Sequence, residues 1–187
     1  MRKLFAILAV CTFASVASAW DGIPVVLDVT GAESWDAYGA ASNDIWVIDA
    51  AAALGLPSGT AVTMNGIGWD VGITTVGGSF LSEARMYFDD NIAPDGVGLW
   101  LTPGYLDGFA GSGFYYDPGI DLEDNGIPNV PLPDGLLRIE FNESYDDAAG
   151  AVDADYTATS TLTLDLVPEP ASLALIGLGA IVLIRRR

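Results

Sequence analysis

Turn-forming dipeptides recur so often between residues 20 and 166 that this part of the chain leaves no room for a long helix. In each of them a Gly follows Asn, Asp or Gly, a pairing that tolerates the positive φ of a tight turn. They are Asn65-Gly66, Gly77-Gly78, Asp95-Gly96, Asp107-Gly108, Asn125-Gly126 and Asp134-Gly135. Pro94, Pro103, Pro118, Pro128, Pro131 and Pro133 interrupt any helix drawn through the same region. The segments between these turns have the length of β-strands.

The apolar residues between the turns follow the two-residue period of strands. The clearest stripe is Leu162, Leu164 and Leu166, alternating with Thr161, Thr163 and Asp165. Comparable strands are predicted over residues 25–29, 45–48, 62–64, 67–73, 84–88, 97–101, 113–116 and 137–141. The pattern predicts an all-β fold, an antiparallel β-sandwich of about nine strands with a jelly-roll-like topology. Only residues 49–56 have a helical pattern, which Gly55 and Pro57 end.

The same stretch is strongly acidic. Of the 25 Asp and Glu residues in the chain only Glu169 lies outside it, so 24 acids face Arg85 and Arg138 alone, a net charge of −22. Such a domain repels phosphate backbones, which excludes nucleic acid as a partner. We expect this charge to lie on the outside of the domain.

The composition also limits the possible chemistry. The chain has no His, its Lys lies in the first three residues, and its single Cys is Cys11. A Ser-His-Asp triad, a thiol nucleophile and a His-bearing zinc site are therefore ruled out for residues 20–166. Paired carboxylates are the main catalytic chemistry left. A non-catalytic protein is expected, and a secreted glycan-active enzyme or carbohydrate-binding module using a carboxylate pair is the alternative.

Three acidic groups are candidate calcium ligands. The first contains Asp117, Asp121, Glu123 and Asp124, in the irregular stretch 117–134, and the second contains Asp89, Asp90 and Asp95. The third contains Glu143, Asp146, Asp147, Asp153 and Asp155. Oxygen-rich, flexible loops suit Ca²⁺, and a divalent ion would relieve local self-repulsion. The spacing does not match an EF-hand, and the alternative is that these loops are simply solvated.

Several aromatic residues are candidates for a surface that stacks on sugar rings. They are Trp46, Trp100 and the pair Tyr115-Tyr116. The alternative is that they pack inside the sandwich, as strand tryptophans commonly do.

The N-terminus has the three parts of an export signal. Arg2 and Lys3 are followed by the apolar run 4–13 and by Ala17-Ser18-Ala19, a small-residue cleavage site. Cleavage after Ala19 would leave Trp20 first. A lipoprotein box ending at Cys11 is the alternative, but Val10 stands where that box has a small residue.

The C-terminus is a second trafficking segment. Val167-Pro168-Glu169-Pro170 precedes an apolar run up to Ile184, and Arg185, Arg186 and Arg187 close the chain. As a helix, residues 171–184 would span about 21 Å, against about 30 Å for the core of a bilayer. The arginines would hold the far end in the cytoplasm as a membrane stop. The prolines would keep the preceding spacer extended for a protease. A C-terminal transmembrane helix is predicted, cleaved off or retained as a short anchor.

This order of motif, apolar segment and basic end resembles the PEP-CTERM sorting signal of Gram-negative bacterial surface proteins. The resemblance implies that an exosortase, a membrane cysteine protease, recognises Pro168, Glu169 and Pro170. It also implies export, transient anchoring in the inner membrane, and delivery to the cell envelope or the extracellular polysaccharide matrix. The expected domains are a helical signal peptide at 1–19, an acidic β-sandwich at 20–166 and the sorting signal at 167–187. The expected partners are the export machinery, the exosortase, Ca²⁺ and polysaccharide.

Overall fold

The computed structural model describes residues 21–90, 98–147 and 150–169, which form eleven strands and one short helix. The elements are β1 (Ile23–Asp28), β2 (Glu33–Ser34), β3 (Ile45–Asp49), α1 (Ala50–Ala53), β4 (Val62–Thr75), β5 (Ala84–Asp90), β6 (Leu99–Leu101), β7 (Ser112–Asp121), β8 (Val130–Leu132), β9 (Leu136–Glu143), β10 (Ala154–Tyr156) and β11 (Thr161–Pro168). A single 3₁₀ turn covers Glu123–Asn125. The predicted all-β fold is confirmed.

The strands form two antiparallel sheets around one core. The larger sheet has the order β1-β11-β4-β10-β2, with β7 and β8 also paired to β4, and the smaller has the order β3-β9-β5-β6. Leu27 and Ile73 of the larger sheet and Met86 and Phe141 of the smaller one are completely buried in the same apolar cluster. The 14 residues of β4 make it the strand to which most of the larger sheet is attached.

β4 continues without a break through Asn65-Gly66, where the sequence predicts a turn. Its register with β11 places Gly66 opposite Asp165 and Met64 opposite Leu166, so Asn65 is the extra residue of a bulge. The carbonyl of Asn65 accepts a hydrogen bond of 2.7 Å from the backbone N–H of Leu122. The predicted turn is therefore wrong, and two predicted strands are one bent strand.

Three strands escaped prediction because they are only two or three residues long, too short to show an alternating pattern. These are β2, β8 and β10. The stretch predicted as irregular from Asp117 also begins inside β7. The predicted helical turn is confirmed as α1, where the Asp49 carboxylate accepts from the N–H of Ala52 at 2.8 Å and Gly55 follows with a φ of 72°.

The outer face of the smaller sheet is covered by residues 35–44, the covering loop. Glu140 on β9 accepts hydrogen bonds from the backbone N–H of Gly39 at 2.6 Å and from the side-chain amide of Asn43 at 2.8 Å. The Tyr38 ring lies 4.6 Å from that of Tyr87. The expectation that charge lies on the outside is wrong for a set of buried residues, namely Asp89, Arg138, Glu140, Glu143, Asp153 and Asp165.

Candidate functional site

Two carboxylates lie in the interior where β2, β9 and β10 meet. Glu143 and Asp153 have no solvent exposure. Ser34 donates a hydrogen bond to Oε1 of Glu143, and Ser79 donates to Oδ1 of Asp153 at 2.8 Å. The second oxygen of each carboxylate has no hydrogen-bond partner among the residues that the structure describes. We call these four residues the buried carboxylate cluster.

Burial changes the acidity of this cluster. Burial raises the pKa of Glu143 to about 8; the Ser34 hydrogen bond opposes the rise, and the negative charge of Asp153 adds to it. Burial likewise raises the pKa of Asp153, against the hydrogen bond from Ser79. A raised pKa is typical of a general acid. In this conformation, however, neither side chain has an exposed surface with which to contact a substrate.

The domain's two arginines both belong to the smaller sheet. Arg138 forms an ion pair with Glu140, the neighbour two residues along the same face of β9. Arg85 donates to the carbonyl of Glu143 at 3.2 Å, and its guanidinium lies 4.7 Å from the centre of the Trp100 ring. These contacts favour a structural role for both cations.

The first predicted calcium group stabilises turns. Oδ1 of Asp117 accepts from the N–H of Gly119, and Oδ1 of Asp121 accepts from the N–H of Asp124, both at 2.9 Å. Glu123 is exposed in the 3₁₀ turn. These hydrogen bonds account for the position of Asp117 and Asp121 without an ion.

The second predicted group lies on the other sheet. Asp89 is buried on β5 and its Oδ1 accepts from the N–H of Asp90 at 2.8 Å, while Asp95 lies outside the described residues. The fold therefore does not join these two groups. Across residues 21–90, 98–147 and 150–169, no cluster of three or more acidic side chains is placed to hold a metal ion. Calcium binding stays a prediction.

The outer face of β7 carries two exposed aromatic rings, which we call the aromatic face. Phe114 is 70% exposed and Tyr116 is 71% exposed, and their two-residue spacing directs both to the same side. Tyr115 points inward between them, and its hydroxyl donates to Asp107 at 2.8 Å. The Phe114 ring lies over Gly72 of β4, where a Cβ atom would come within 3.2 Å of two ring carbons.

The loop before β7 also carries exposed apolar side chains. Tyr105, Leu106 and Phe109 are all exposed. The loop is tied to the far end of β4 because the N–H of Thr75 donates to the carbonyl of Gly111 at 2.8 Å. Exposed apolar patches of this kind mark binding surfaces.

The two tryptophans that were predicted as candidate sugar-stacking residues pack against other aromatic rings of the protein. The Trp46 ring lies 5.3 Å from that of Phe141. Trp100 is 39% exposed, but its ring lies 4.5 Å from that of Tyr87 and 5.1 Å from that of Tyr38. Tyr116 is exposed, as a sugar-stacking residue has to be. Phe114 was not identified from the sequence as a second exposed ring. Extending the alternation through residues 112–118 would have found it.

Both ends of the folded domain leave it at one corner. β1 begins at Ile23, opposite Leu166 of β11. The N–H of Gly22 donates to Oδ2 of Asp165 at 3.2 Å, and a Cβ atom on Gly22 would lie 2.5 Å from Oδ1 of that carboxylate. Only glycine fits so close an approach. We call Gly22, Ile23 and residues 166–169 the terminal corner.

Beyond Leu166, the backbone pairing among the described residues is with β4 and with Ala61, the residue before it. Val167 pairs with Thr63 and Pro168 with Val62. The N–H of Glu169 donates to the carbonyl of Ala61 at 3.1 Å, and its Oε1 accepts from the Thr63 hydroxyl at 2.7 Å. The sheet therefore extends past residue 166, the predicted end of the domain, into the segment predicted as a spacer.

Residues 166–187, which begin in this corner, match the family model described as the PEP-CTERM protein-sorting motif. The chain carries a PEP-CTERM motif. The match confirms the resemblance seen in the sequence and implies export, membrane-associated sorting and processing by an exosortase. No curated protein and no solved structure matches the chain.

Other parts of the predicted trafficking segments fall outside the described residues. These are Pro170 and the rest of the PEP-CTERM motif, with Arg185, Arg186 and Arg187, and the predicted cleavage site at Ala17 and Ala19. In the three described ranges, no helix is long and apolar enough to cross a membrane. The signal helix and the C-terminal transmembrane helix stay predictions.

Proposed function

We propose that this chain is an exported, non-catalytic component of the cell surface or its matrix, and that it binds neutral polysaccharide through the aromatic face. The observation that carries the proposal is the exposure of Phe114 and Tyr116 on one side of β7. The PEP-CTERM motif supports delivery to the compartment where such polymers lie.

The chemistry around the aromatic face fits sugar rings. An aromatic ring stacks on the apolar face of a pyranose, and polar groups alongside bond the hydroxyls. Asp70 is exposed opposite Tyr116, and the hydroxyls of Thr74 and Ser112 bond to each other at 2.9 Å on the same side of the sheet. The surface thus combines apolar rings with neighbouring hydrogen-bonding groups.

The charge of the domain favours a neutral polymer. The strands of the larger sheet contain no Arg and no Lys, and the domain as a whole carries a charge of −22. A polysaccharide rich in uronate or sulfate would be repelled by such a field. We therefore assign a neutral polymer as the ligand.

The aromatic face also lies away from the point of attachment. Gly72, beneath Phe114, is ten residues along β4 from Val62, which pairs with Pro168 at the terminal corner. For an extended strand that separation is about 33 Å. While the chain is held by its C-terminal segment, this places the binding surface at the far end of the domain.

The alternative function, a glycan-active enzyme, would use Glu143 and Asp153. Their raised pKa values favour it. Complete burial of both side chains favours the non-catalytic proposal, because a glycosidic bond has to lie between two accessible carboxyl groups. Release of reducing sugar from glucan, lost in Glu143→Gln, would support the enzyme instead.

Affinity electrophoresis through a gel containing a soluble neutral glucan tests the proposal. The wild-type protein should be retarded, and Phe114→Ala and Tyr116→Ala should each weaken retention by about tenfold, because each removes one stacking ring. The matched control is Tyr145→Ala, which removes an exposed ring (64% exposed) that lies off β7. It should migrate like the wild type.

Two results would contradict the proposal. One is a wild-type protein that passes through the neutral glucan unretarded. The other is a Phe114→Ala, Tyr116→Ala double variant that is retarded as strongly as Tyr145→Ala. Circular dichroism of each variant confirms that the sheets are intact.

A further inference from the structure

The start of the Pro-Glu-Pro segment is part of the folded domain. Pro168 is the last residue of β11, and Glu169 makes a backbone hydrogen bond to Ala61, just before β4, and a side-chain hydrogen bond to Thr63 of β4. The only charged group of the segment is the Glu169 carboxylate, and Thr63 occupies one of its oxygens. A protease binds its substrate as an extended chain whose backbone groups are free to pair with the enzyme. The folded domain and the protease therefore compete for the same groups.

The attachment is short enough to open while the domain stays folded. Leu166 is completely buried and paired with both β1 and β4. Residues 167–169 are half-buried, and their described backbone pairing is with β4 and Ala61 only, although the Val167 side chain also lies beside Gly22. Pro168 has no N–H to give to the ladder. A strand end held on one side opens locally at far lower cost than the core.

We propose that this contact keeps the sorting motif closed, and that the end of β11 must detach from β4 before the exosortase can bind and cut. Thr63 is the residue that holds the closed state, through its bond to Glu169. The rate of processing is then set by how often residues 167–169 open. The proposal rests on the exosortase processing that the motif implies, and it is independent of polysaccharide binding.

The variant Thr63→Val tests the contact, because it removes the hydroxyl and keeps the shape and the strand preference of the side chain. Pulse-chase labelling in a host that carries an exosortase measures how fast the full-length precursor becomes the shorter form. Loss of one hydrogen bond to a carboxylate should speed this conversion about fivefold. The matched control is Thr163→Val, a threonine of β11 at the same depth but distant from Glu169, which should leave the rate unchanged.

Hydrogen exchange of the full-length precursor in detergent micelles gives a second measurement without the protease. The Glu169 amide should be protected in the wild type and in Thr163→Val, and should exchange about fivefold faster in Thr63→Val. The proposal is overturned by an unprotected Glu169 amide in the wild type. It is equally overturned if Thr63→Val is processed at the wild-type rate, more slowly, or not at all. Retention by the neutral glucan is measured in a separate experiment, so the proposed polysaccharide binding can stand or fail independently of this result.

Discussion

At the scale of single residues, the scarcity of cations determines how acids are buried. Arg138 forms an ion pair with Glu140. The domain has only one other arginine, so cations cannot pair with all of its buried carboxylates. Burial instead raises the pKa of Glu143, Asp153 and Asp165. A buried carboxyl group that keeps its proton avoids the cost of an uncompensated charge in the interior.

The stability of the protein should therefore fall as pH rises from about 5 to 8. The folded pKa of Glu143 is about 8, above its ordinary value of 4.5, so the folded state binds a proton that the unfolded state has released. The resulting contribution to the free energy of unfolding is complete below pH 4.5, the ordinary pKa of a glutamate, and is lost as pH rises through about 8. For one group the slope is at most about 1.4 kcal/mol per pH unit. Denaturant unfolding at a series of pH values measures it.

The variant Glu143→Gln isolates this group from the remaining acids. It keeps an oxygen to accept from Ser34 but cannot lose a proton, so its free energy of unfolding should depend less on pH and exceed that of the wild type at pH 8. The exposed-acid control, Glu123→Gln, should follow the wild-type curve. Parallel curves for all three proteins would show that Glu143 is ionised in the folded state.

At the scale of elements, the covering loop explains why β9 is buried on both faces. Asn43 fixes that loop: its Oδ1 accepts from the N–H of Asp36 at 2.9 Å, and its amide donates to Ala37 at 3.0 Å and to Glu140 at 2.8 Å. The covering loop thereby shields the Arg138–Glu140 ion pair from water.

Replacing Asn43 by Ala should destabilise the protein by about 2 kcal/mol, because Glu140 and the loop backbone lose their partners in a buried site. Asn125→Ala is the matched control, since Asn125 is exposed and its amide makes a single bond to the carbonyl of Asp121. It should change the free energy of unfolding by less than about 0.5 kcal/mol. Equal denaturation midpoints for the two variants would contradict this role for Asn43.

The strands were predictable where a stripe was long enough to show which face is apolar. Val25 and Leu27, and Leu162, Leu164 and Leu166, are buried as expected. The pattern identifies an apolar face but not what covers the opposite one. A polar stripe such as Arg138, Glu140 and Asn142 looks solvent-facing, although the covering loop, distant in sequence, buries it.

At the scale of the whole molecule, the terminal corner and the aromatic face lie at opposite ends of β4. The sorting motif was evident in the sequence because its parts are contiguous. The aromatic face was only partly evident: whether a ring is exposed depends on its neighbours in space, and Trp100 packs against Tyr38 and Tyr87 while Phe114 lies over a glycine. In the proposed function, the end with the sorting motif serves delivery and the opposite end binds the polysaccharide.

The intact mass of the native protein, recovered from the envelope and culture fractions, shows directly whether the two hydrophobic extremities are removed during export. We predict a chain that begins at Trp20 and ends in the Pro-Glu-Pro region, because both extremities serve trafficking. A full-length chain recovered from the cytosol, with Met1 and Arg187 both present, would contradict it.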